Sequence, residues 1–400
     1  LKSMADDRVS RRTVLTTGAG GLAATLAGCA GSGDGGSGTA TEDGSGSDSA
    51  TEGANTSEET TAEDTAYSVS MAPVGEVSFK SAPERWATYF PGYADMGVAL
   101  GRADGLAAVG NVPRYHTDAY EELDGVDVNT DELTQILGEG GIDKEIYYEI
   151  DADVHLTDPQ WLINNSAFGM EDDDVAEVTD NVAPFFGNTV FRRTDPWHDY
   201  RYYTLYETFE KVAEVFDERE RYEAFAAFHD DVVAAIQTDL PPADQRPNAL
   251  LTFGAGNQPK QFSPYRLSDQ GTNKKQWHDL GLSDALADTG IDGLSTSERG
   301  QIDYETMLEV DPDVVLVRGH EDKTAEEFAD TVLAFMEGHD VASELTAVQE
   351  GRVFRGGPIY QGPIQHLFNL ERAATALFPD TFSGELFDRE ELASIVTEEQ

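Results

Sequence analysis

The chain has 400 residues, of which 76 are Asp or Glu and only 27 are Lys or Arg, so its formal net charge is −49. Such a charge repels nucleic acid and argues against a nucleic-acid-binding function. It would also loosen a fold in dilute buffer, whereas molar salt shortens the Debye length to about 3 Å and screens the repulsion. Because the acids are spread along the whole chain, we expect a protein of a halophilic organism rather than an acidic face for one cationic partner.

The N-terminus has the pattern of an export signal that ends in a lipidation site. Arg11 and Arg12 open the segment, a short apolar stretch follows, and the letters Leu-Ala-Gly-Cys end it at Cys29, the single cysteine of the chain. This order is typical of a twin-arginine signal with a lipoprotein cleavage box, and the apolar stretch is too short to span a bilayer. We therefore predict a signal over residues 1–28, with Met4 as a candidate start; the alternative is a chance arrangement in a disordered N-terminus.

The lipidated Cys29 and the segment after it, residues 29–66, are predicted to form a disordered acidic tether. Residues 30–66 are almost entirely Gly, Ser, Thr, Ala, Asp and Glu, which bury too little apolar surface to offset the entropy of ordering. A flexible coil of this length spans roughly 35 Å. The remaining residues, 67–400, suffice for two domains, and the single cysteine excludes a disulfide framework within them.

A near-duplication indicates two similar lobes. Residues 143–156 and 303–316 each have the pattern of a short helix, a tight turn at Asp-(Ala/Pro)-Asp and a short buried strand. A helix that leads into a short apolar strand is the unit of a parallel α/β sheet, although such units are common enough to recur by chance. We predict an N-terminal α/β lobe over 67–218 and a C-terminal α/β lobe over 247–400, each with a mainly parallel sheet.

A long amphipathic helix is predicted between the two lobes, within a connecting segment of residues 219–246. The apolar residues of 219–240 fall on one face, and Pro241 and Pro242 end the helix. The residues of that face are Tyr222, Phe225, Ala226, His229, Val232, Val233, Ile236 and Leu240. Because this helix contains no internal Gly or Pro, we expect it to be stiff and to limit opening between the lobes.

Motifs of enzymes are missing from the sequence. There is no phosphate-binding loop, no His-Glu-x-x-His and no Gly-x-Ser-x-Gly, and the letters G-x-G-x-x-A over residues 18–23 fall inside the predicted signal. No two histidines lie at ligand spacing, so His198, His229, His320 and His366 are each expected on the surface or in the core, and no metal site or cofactor is predicted. An exported hydrolase with a scattered catalytic site and a cell-envelope structural protein remain the alternative functions.

Several short segments in order resemble the substrate-binding proteins of ABC importers for iron–siderophore complexes and vitamin B12. These segments are residues 83–101, 311–317, 348–355 and 370–380, within a resemblance that covers about 75–382. Two departures stand out: Ala152 occupies a position where that family usually has proline, and residues 164–201 match no part of its pattern.

The resemblance implies two α/β lobes joined by one rigid helix, with the ligand in the cleft between them, and a capture function without chemistry. The implied ligand is a ferric hydroxamate, a ferric catecholate, haem, cobalamin or another metal complex. The implied partners are an ABC permease dimer with its ATPase, and the protein is expected to be a lipid-anchored monomer on the outer face of the cell membrane. Glu145 and Glu305 match the acidic residue with which each lobe docks on the permease; two solvated acids are the alternative.

Ligand contacts are expected from side chains near the carboxyl ends of the predicted strands, where open α/β sheets bind ligands. Arg318 and Arg355 would hold an anion, or alternatively pair with nearby carboxylates. Trp161 and Tyr360 would pack on a macrocycle or a catecholate ring, or alternatively belong to the core. The full predicted set is Tyr93, Gln160, Trp161, Phe253, Gln258, Arg318, His320, Arg355, Tyr360 and Gln361.

Overall fold

The computed structural model describes residues 67–291 and 300–398, so the predicted signal, Cys29 and the tether lie outside the described residues. The strands are β1 (Tyr67–Met71), β2 (Gly75–Phe79), β3 (Trp86–Thr88), β4 (Leu106–Val109), β5 (Thr134–Gln135), β6 (Val154–His155), β7 (Asn248–Phe253), β8 (Ser263–Tyr265), β9 (Ser283–Asp284), β10 (Val314–Arg318) and β11 (Val353–Arg355). The helices are α1 (Pro91–Ala99), α2 (Glu145–Ile150), α3 (Pro159–Asn164), α4 (Asp172–Asn181), α5 (Leu205–Phe216), α6 (Arg219–Asp239), α7 (Lys275–Asp279), α8 (Tyr304–Val310), α9 (Ala325–Phe328), α10 (Ala334–Glu337), α11 (Thr346–Gln349), α12 (Pro363–Leu377) and α13 (Arg389–Thr397).

Two mainly parallel sheets confirm the predicted α/β fold. The first has the strand order β5–β4–β3–β6 and is wholly parallel. The second has the order β11–β10–β7–β8 with β9 beside β7, and only β8 runs antiparallel. Strands β3, β4 and β10 are buried along their whole length, as expected for strands that are covered on both faces of a parallel sheet. A short antiparallel hairpin, β1–β2, precedes the first sheet.

The duplicated helix–turn–strand units have the same local structure. In both units the helix ends at the first aspartate of the turn, whose φ is 51° after α2 and 42° after α8, a left-handed conformation that Asp adopts more readily than most residues. The second aspartate then binds the start of the neighbouring strand. Asp153 accepts a hydrogen bond from the Arg85 amide at 2.8 Å, and Asp313 accepts one from the Asn248 amide at 2.9 Å. The Asp-x-Asp repeat therefore fixes helix ends and strand starts in both halves.

The connecting helix α6 spans Arg219–Asp239, within one residue of the prediction. Its 21 residues extend about 31 Å at 1.5 Å per residue. Phe225, His229, Val232 and Ile236 are buried as predicted, and α6 packs on α5 and α13. The buried Arg221 was not expected on this face; its guanidinium donates to carbonyl oxygens at the end of α13, including that of Ile395 at 3.0 Å. Arg221 thus satisfies main-chain groups that the end of a helix leaves without partners.

The last two helices return to the first half of the chain. Helix α12 packs on α1 and α7, and α13 packs on α6 and α1. Asp95 of α1 is fully buried, and its Oδ2 accepts hydrogen bonds from the amides of Ile364 at 2.8 Å and Gln365 at 3.2 Å, in the first turn of α12. Because α12 and α13 contact elements of both halves, the predicted boundary at residue 247 stays a prediction. Within the described ranges, no helix combines the length and apolar character needed to cross a bilayer.

Candidate functional site

Aromatic side chains meet where strands of both sheets end. We call Phe90, Tyr93, Trp161, Phe191 and Tyr360 the aromatic cluster. The ring centroids of Phe90 lie 5.9 Å from Trp161 and 5.8 Å from Tyr360, and those of Phe191 and Tyr360 are 4.9 Å apart. These separations are typical of favourable aromatic pairs. The fold therefore brings together three of the predicted contact residues, Tyr93, Trp161 and Tyr360, as the position of strand ends implied.

The segment that fills the centre of the aromatic cluster comes from the stretch that matched no known pattern. Phe191 packs edge-on against Trp161 with centroids 5.2 Å apart, and the guanidinium of Arg192 lies 5.0 Å from the Trp161 ring. A main-chain hydrogen bond joins this segment to the part of the chain that carries the second sheet: Thr272 N donates to Val190 O at 3.0 Å. The sequence analysis missed Phe191 and Arg192, although an aromatic–arginine pair in a chain so poor in cations was a usable signal.

Asp158, directly after β6, fixes this segment in place. Its buried Oδ2 accepts from the Thr189 amide at 2.7 Å, from the Thr189 hydroxyl at 2.8 Å and from the Tyr200 hydroxyl at 2.5 Å. Its Oδ1 accepts from the amide of Gln160 and so caps α3. Burial raises the pKa of Asp158, while these hydrogen bonds to the ionised form lower it in part. One carboxylate thus positions both Trp161, through α3, and the segment that carries Phe191.

Little space remains at the aromatic cluster. The gap between Phe90, Tyr93, Phe191 and Tyr360 has a volume of about 10 Å³, which is barely enough for one water molecule. The Tyr93 hydroxyl is also engaged, because it donates to Asn188 O at 3.0 Å and accepts from Asn188 N at 2.8 Å. In this conformation the aromatic cluster stabilises the fold and leaves no room for a chelate.

The other predicted contacts have separate surroundings. Arg318 is fully buried, donates to the carbonyl oxygens of Gly356 and Asn273, and lies 4.9 Å from the Tyr265 ring. His320 is buried beside Phe328, with ring centroids 5.5 Å apart. The other three residues lie outside the aromatic cluster: Gln160 is half-buried in α3, Phe253 is half-buried at the end of β7, where it pairs with Arg318 of β10, and Gln258 is exposed on a loop.

Gln361 belongs to a buried polar network that joins three elements. Its amide nitrogen donates to Gln276 Oε1 of α7 at 2.6 Å and to Thr272 O, and its oxygen accepts from Asn369 Nδ2 of α12 at 3.0 Å. Buried amides that are satisfied in this way specify one arrangement of their neighbours. Gln361 therefore holds the loop after β11 against α7 and α12.

A cavity of about 450 Å³ lies beside the edge strand β11. Its walls come from the loop after β4, which carries His116 and Asp118, and from α7, α9, β11 and α12 of the second half. Of the predicted residues, Arg355 lines it. Arg372 of α12, which also lines it, was missed because α12 had been assigned only as the closing helix of the fold. The cavity is thus bounded by residues from both halves, next to a strand end.

Five titratable side chains line the cavity: His116, Asp118, Glu321, Arg355 and Arg372. Arg372 Nη1 lies 3.0 Å from Asp118 Oδ2, whereas Arg355 donates to the carbonyl oxygen of Lys323 and has no ion pair within the described residues. Burial lowers the pKa of Arg355, but a guanidinium stays charged at any ordinary pH. Burial also lowers the pKa of His116, so its imidazole is neutral near pH 7. Arg355 is therefore the cation that an anionic ligand would meet.

Glu145 and Glu305 occupy equivalent places in the duplicated units. Glu145 lies in the first turn of α2 and Glu305 in the first turn of α8, and both are exposed. A hydrogen bond with the Asp143 carboxyl raises the pKa of Glu145.

Comparisons with solved structures show the fold. A periplasmic binding protein from Veillonella parvula superposes with a TM-score of 0.54 at 15% identity, covering 78% of this chain and 97% of that one. The petrobactin-binding protein YclQ from Bacillus subtilis gives 0.54 at 16%, covering 78% and 98%. The triscatecholate siderophore binding protein FeuA from the same organism gives 0.52 at 14%, covering 76% and 96%. At these identities the likeness extends to architecture alone.

The sequence itself carries the family assignment. The sequence profile described as periplasmic binding protein matches residues 87–360, which include both sheets and the connecting helix. A search of curated proteins gives no match. Because the matched region is more than half of the chain and the fold agrees with it, the chain belongs to the periplasmic binding protein family, whose members are extracytoplasmic binding proteins.

Proposed function

We propose that this chain is the substrate-binding component of an ABC importer, which captures a ferric siderophore or a related metal chelate and delivers it to the permease. The observation that carries the proposal is the cavity of about 450 Å³ at β11, bounded by both halves and lined by Arg355. Its volume lies within the range of small-molecule sites. Structural neighbours that bind petrobactin and ferri-bacillibactin support the choice of ligand class.

Polar side chains in the cavity wall support ligand binding there. The side chains of Gln276, Gln365 and Asn369 line the cavity together with Arg355. A guanidinium forms strong, charge-assisted hydrogen bonds with anionic oxygen atoms. Arg355 therefore favours an oxygen-rich, negatively charged chelate such as a ferric catecholate or ferric citrate.

Delivery would depend on two exposed carboxylates that lie outside the cavity. Glu145 and Glu305 would contact basic residues on the two permease subunits, one from each duplicated unit. Export through the twin-arginine route and a lipid on Cys29 would keep the protein at the outer face of the membrane, with residues 30–66 as the tether. Acidity along the whole chain would keep it soluble, while molar salt would screen the repulsion between the carboxylates and so allow the compact fold.

Ligand binding can be tested by titrating the full chain in molar KCl with ferric hydroxamate, catecholate and citrate complexes, haem and cobalamin, while following tryptophan fluorescence. One anionic ferric chelate should quench with 1:1 stoichiometry, and the corresponding metal-free chelator should bind more weakly. Trp277→Phe should remove most of the quenching, because Trp277 lines the cavity. Trp161→Phe is the matched control. No saturable binding to any of these compounds, together with hydrolysis of an ester or peptide, would instead establish the enzyme alternative.

A further inference from the structure

Two histidines that are far apart in the sequence meet an aspartate in the core. His229, Asp279 and His366 each offer one ligand atom, and these atoms all lie within 4.8 Å of one another. The closest pair is His366 Nε2 and Asp279 Oδ2 at 2.9 Å, and the two imidazole centroids are 5.2 Å apart. We call these three residues the histidine–aspartate cluster. It lies outside both the aromatic cluster and the set of residues that line the cavity.

The histidine–aspartate cluster joins three helices. His229 lies on the connecting helix α6, Asp279 ends α7, and His366 lies in the first turns of α12. His229 is 4% exposed and His366 is 0% exposed, so water has almost no access to either imidazole. Sequence spacing gave no reason to pair them, because the contact depends on how α12 returns to pack on α7.

Both imidazoles have nitrogen atoms without a partner. His229 Nδ1 lies 3.0 Å from Asp230 Oδ1, which assigns the proton to Nδ1 and leaves the lone pair on Nε2. His229 Nε2 is buried and has no hydrogen-bond partner within the described residues. This is the arrangement of a metal-binding histidine, in which a carboxylate holds one nitrogen and orients the other toward the metal. In His366, Nε2 lies 2.9 Å from Asp279 Oδ2, and Nδ1 is buried with no hydrogen-bond partner in the described part of the chain.

We propose that the histidine–aspartate cluster binds one Zn²⁺ ion, or a metal ion of similar character, through His229 Nε2, one nitrogen of His366 and the Asp279 carboxylate. Two imidazoles and a carboxylate are a typical zinc ligand set, which leaves a fourth coordination position. Tetrahedral zinc spaces its ligand atoms by roughly 3.3–3.5 Å, so separations of up to 4.8 Å require only small movements. This site is independent of the proposed ligand-binding function.

Lys275 is the competitor for this site. Its Nζ lies 2.8 Å from Asp279 Oδ2 and 3.1 Å from Oδ1, and its side chain is 22% exposed. A bound dication would repel the ammonium group. Lys275 is the first residue of the short helix α7 and its side chain is partly exposed, so it can move into solvent. Removal of Lys275 should therefore leave Asp279 more available and strengthen metal binding.

The test is a titration of the metal-free full chain with Zn²⁺ in molar KCl and excess Mg²⁺, which occupy the many surface carboxylates. One equivalent of Zn²⁺ should bind and raise the melting temperature, because the ion binds the folded state only. Co²⁺ should give the visible absorption bands of a tetrahedral site. His229→Ala should weaken Zn²⁺ binding by at least about 100-fold, the upper end of the loss seen for outer-shell partners. Lys275→Met should strengthen it, a result that no folding defect could produce.

His278→Ala is the matched control, because His278 is the exposed neighbour of Asp279 on α7 and lies outside the histidine–aspartate cluster. Its Zn²⁺ affinity should equal that of the unmodified chain. The proposal is overturned by absence of one-equivalent binding, by unchanged affinity in both His229→Ala and Lys275→Met, or by Zn²⁺ binding that excess Mg²⁺ abolishes, which would indicate surface carboxylates alone.

Discussion

The aromatic cluster and the cavity at β11 both lie near strand ends and both contain residues from the two halves, yet their contents differ. In the aromatic cluster the chain fills the space with its own side chain, Phe191, and about 10 Å³ remains. At β11 about 450 Å³ remains, and its wall carries Arg355. One region is therefore filled by the chain itself, while the other keeps space that a ligand can occupy.

This difference shows that position at a strand end does not by itself define a binding residue. Tyr93, Trp161 and Tyr360 follow the carboxyl ends of strands, where open α/β sheets bind ligands, but all three rings pack against Phe90. The rings of Trp161 and Tyr360 also pack against Phe191. Arg355 occupies the equivalent position on β11 and borders open space instead. We propose that contacts in the cavity provide the free energy of ligand binding, whereas the aromatic cluster contributes to the free energy of unfolding.

The largest expected effect comes from Phe191→Ala. Phe191 is 5% exposed and contacts three other aromatic rings, so its truncation should lower the free energy of unfolding by about 3–5 kcal/mol. Ligand affinity in molar KCl should stay within about threefold of that of the unmodified chain. Chemical denaturation and a ligand titration on the same preparation measure the two quantities.

Phe328→Ala is the matched variant at the cavity, because Phe328 is 3% exposed and lines that space. Phe328→Ala should lower the free energy of unfolding by a similar amount but should also change ligand affinity. If Phe191→Ala alone reduced affinity, the ligand would bind at the aromatic cluster after displacement of Phe191, and the proposed division between the two regions would be wrong.

The parts of this picture that the sequence predicted depend on local patterns. The apolar period of residues 219–240 placed α6, and the repeated Asp-x-Asp turns indicated both sheets, because capping and periodicity act within a few residues. The positions of Tyr93, Trp161 and Tyr360 after predicted strands indicated that these side chains lie near the same edge of the fold.

What the sequence could not predict depends on contacts between distant segments. Residues 164–201 have no strong period, and the insertion of Phe191 depends on Asp158 accepting hydrogen bonds from Thr189 and Tyr200. The cavity forms where β11 and α12 pack near His116 and Asp118, which lie more than 200 residues earlier in the chain, and the packing of α12 also brings His366 to His229. No local pattern encodes where a helix docks on distant parts of the chain.

The junction between the two regions should respond to pH. Asp95 lies on α1 with Tyr93 and binds the first turn of α12, whose Gln365 lines the cavity. Burial raises the pKa of Asp95 to about 7, although hydrogen bonds from Tyr120 and from two amides lower it. The folded state therefore keeps a proton that the unfolded state loses near pH 4. Stability should fall as the pH rises from about 4 to about 7 and then level off, by a few kcal/mol, since one pKa unit is worth about 1.4 kcal/mol.

Denaturation curves of Asp95→Asn at several pH values in molar KCl would measure this contribution. The variant should lack most of the fall between pH 4 and pH 7, because its amide does not ionise. Asp104→Asn removes the same charge from an exposed site in the first half and should retain the fall. Identical pH profiles for the two variants would show that Asp95 does not couple α1 to α12 through its carboxyl.

A smaller effect is expected from Arg355→Ala, which tests the cavity directly. Loss of one charge-assisted hydrogen bond should weaken an anionic ferric chelate by about 1.5–3 kcal/mol while a neutral chelate is affected less. Arg352→Ala is the control, because Arg352 directly precedes β11 and does not line the cavity. Calorimetric titration of both variants measures the difference, and an equal loss in both would indicate a general charge effect rather than a contact.

The smallest effect on ligand binding is expected from the pair that lies outside both regions. Glu145→Ala with Glu305→Ala removes two exposed carboxylates from the first turns of α2 and α8, so ligand affinity should not change. Uptake of the labelled chelate by cells should nevertheless fall, because we propose that these charges contact the permease. Glu149→Ala with Glu309→Ala removes the same charge from the last turns of the same two helices, at exposed positions. Because this control changes net charge and local acidity equally, normal uptake in it would assign the defect to the two first-turn positions. Equal uptake in both double variants, or loss of ligand binding in the first, would contradict the docking role.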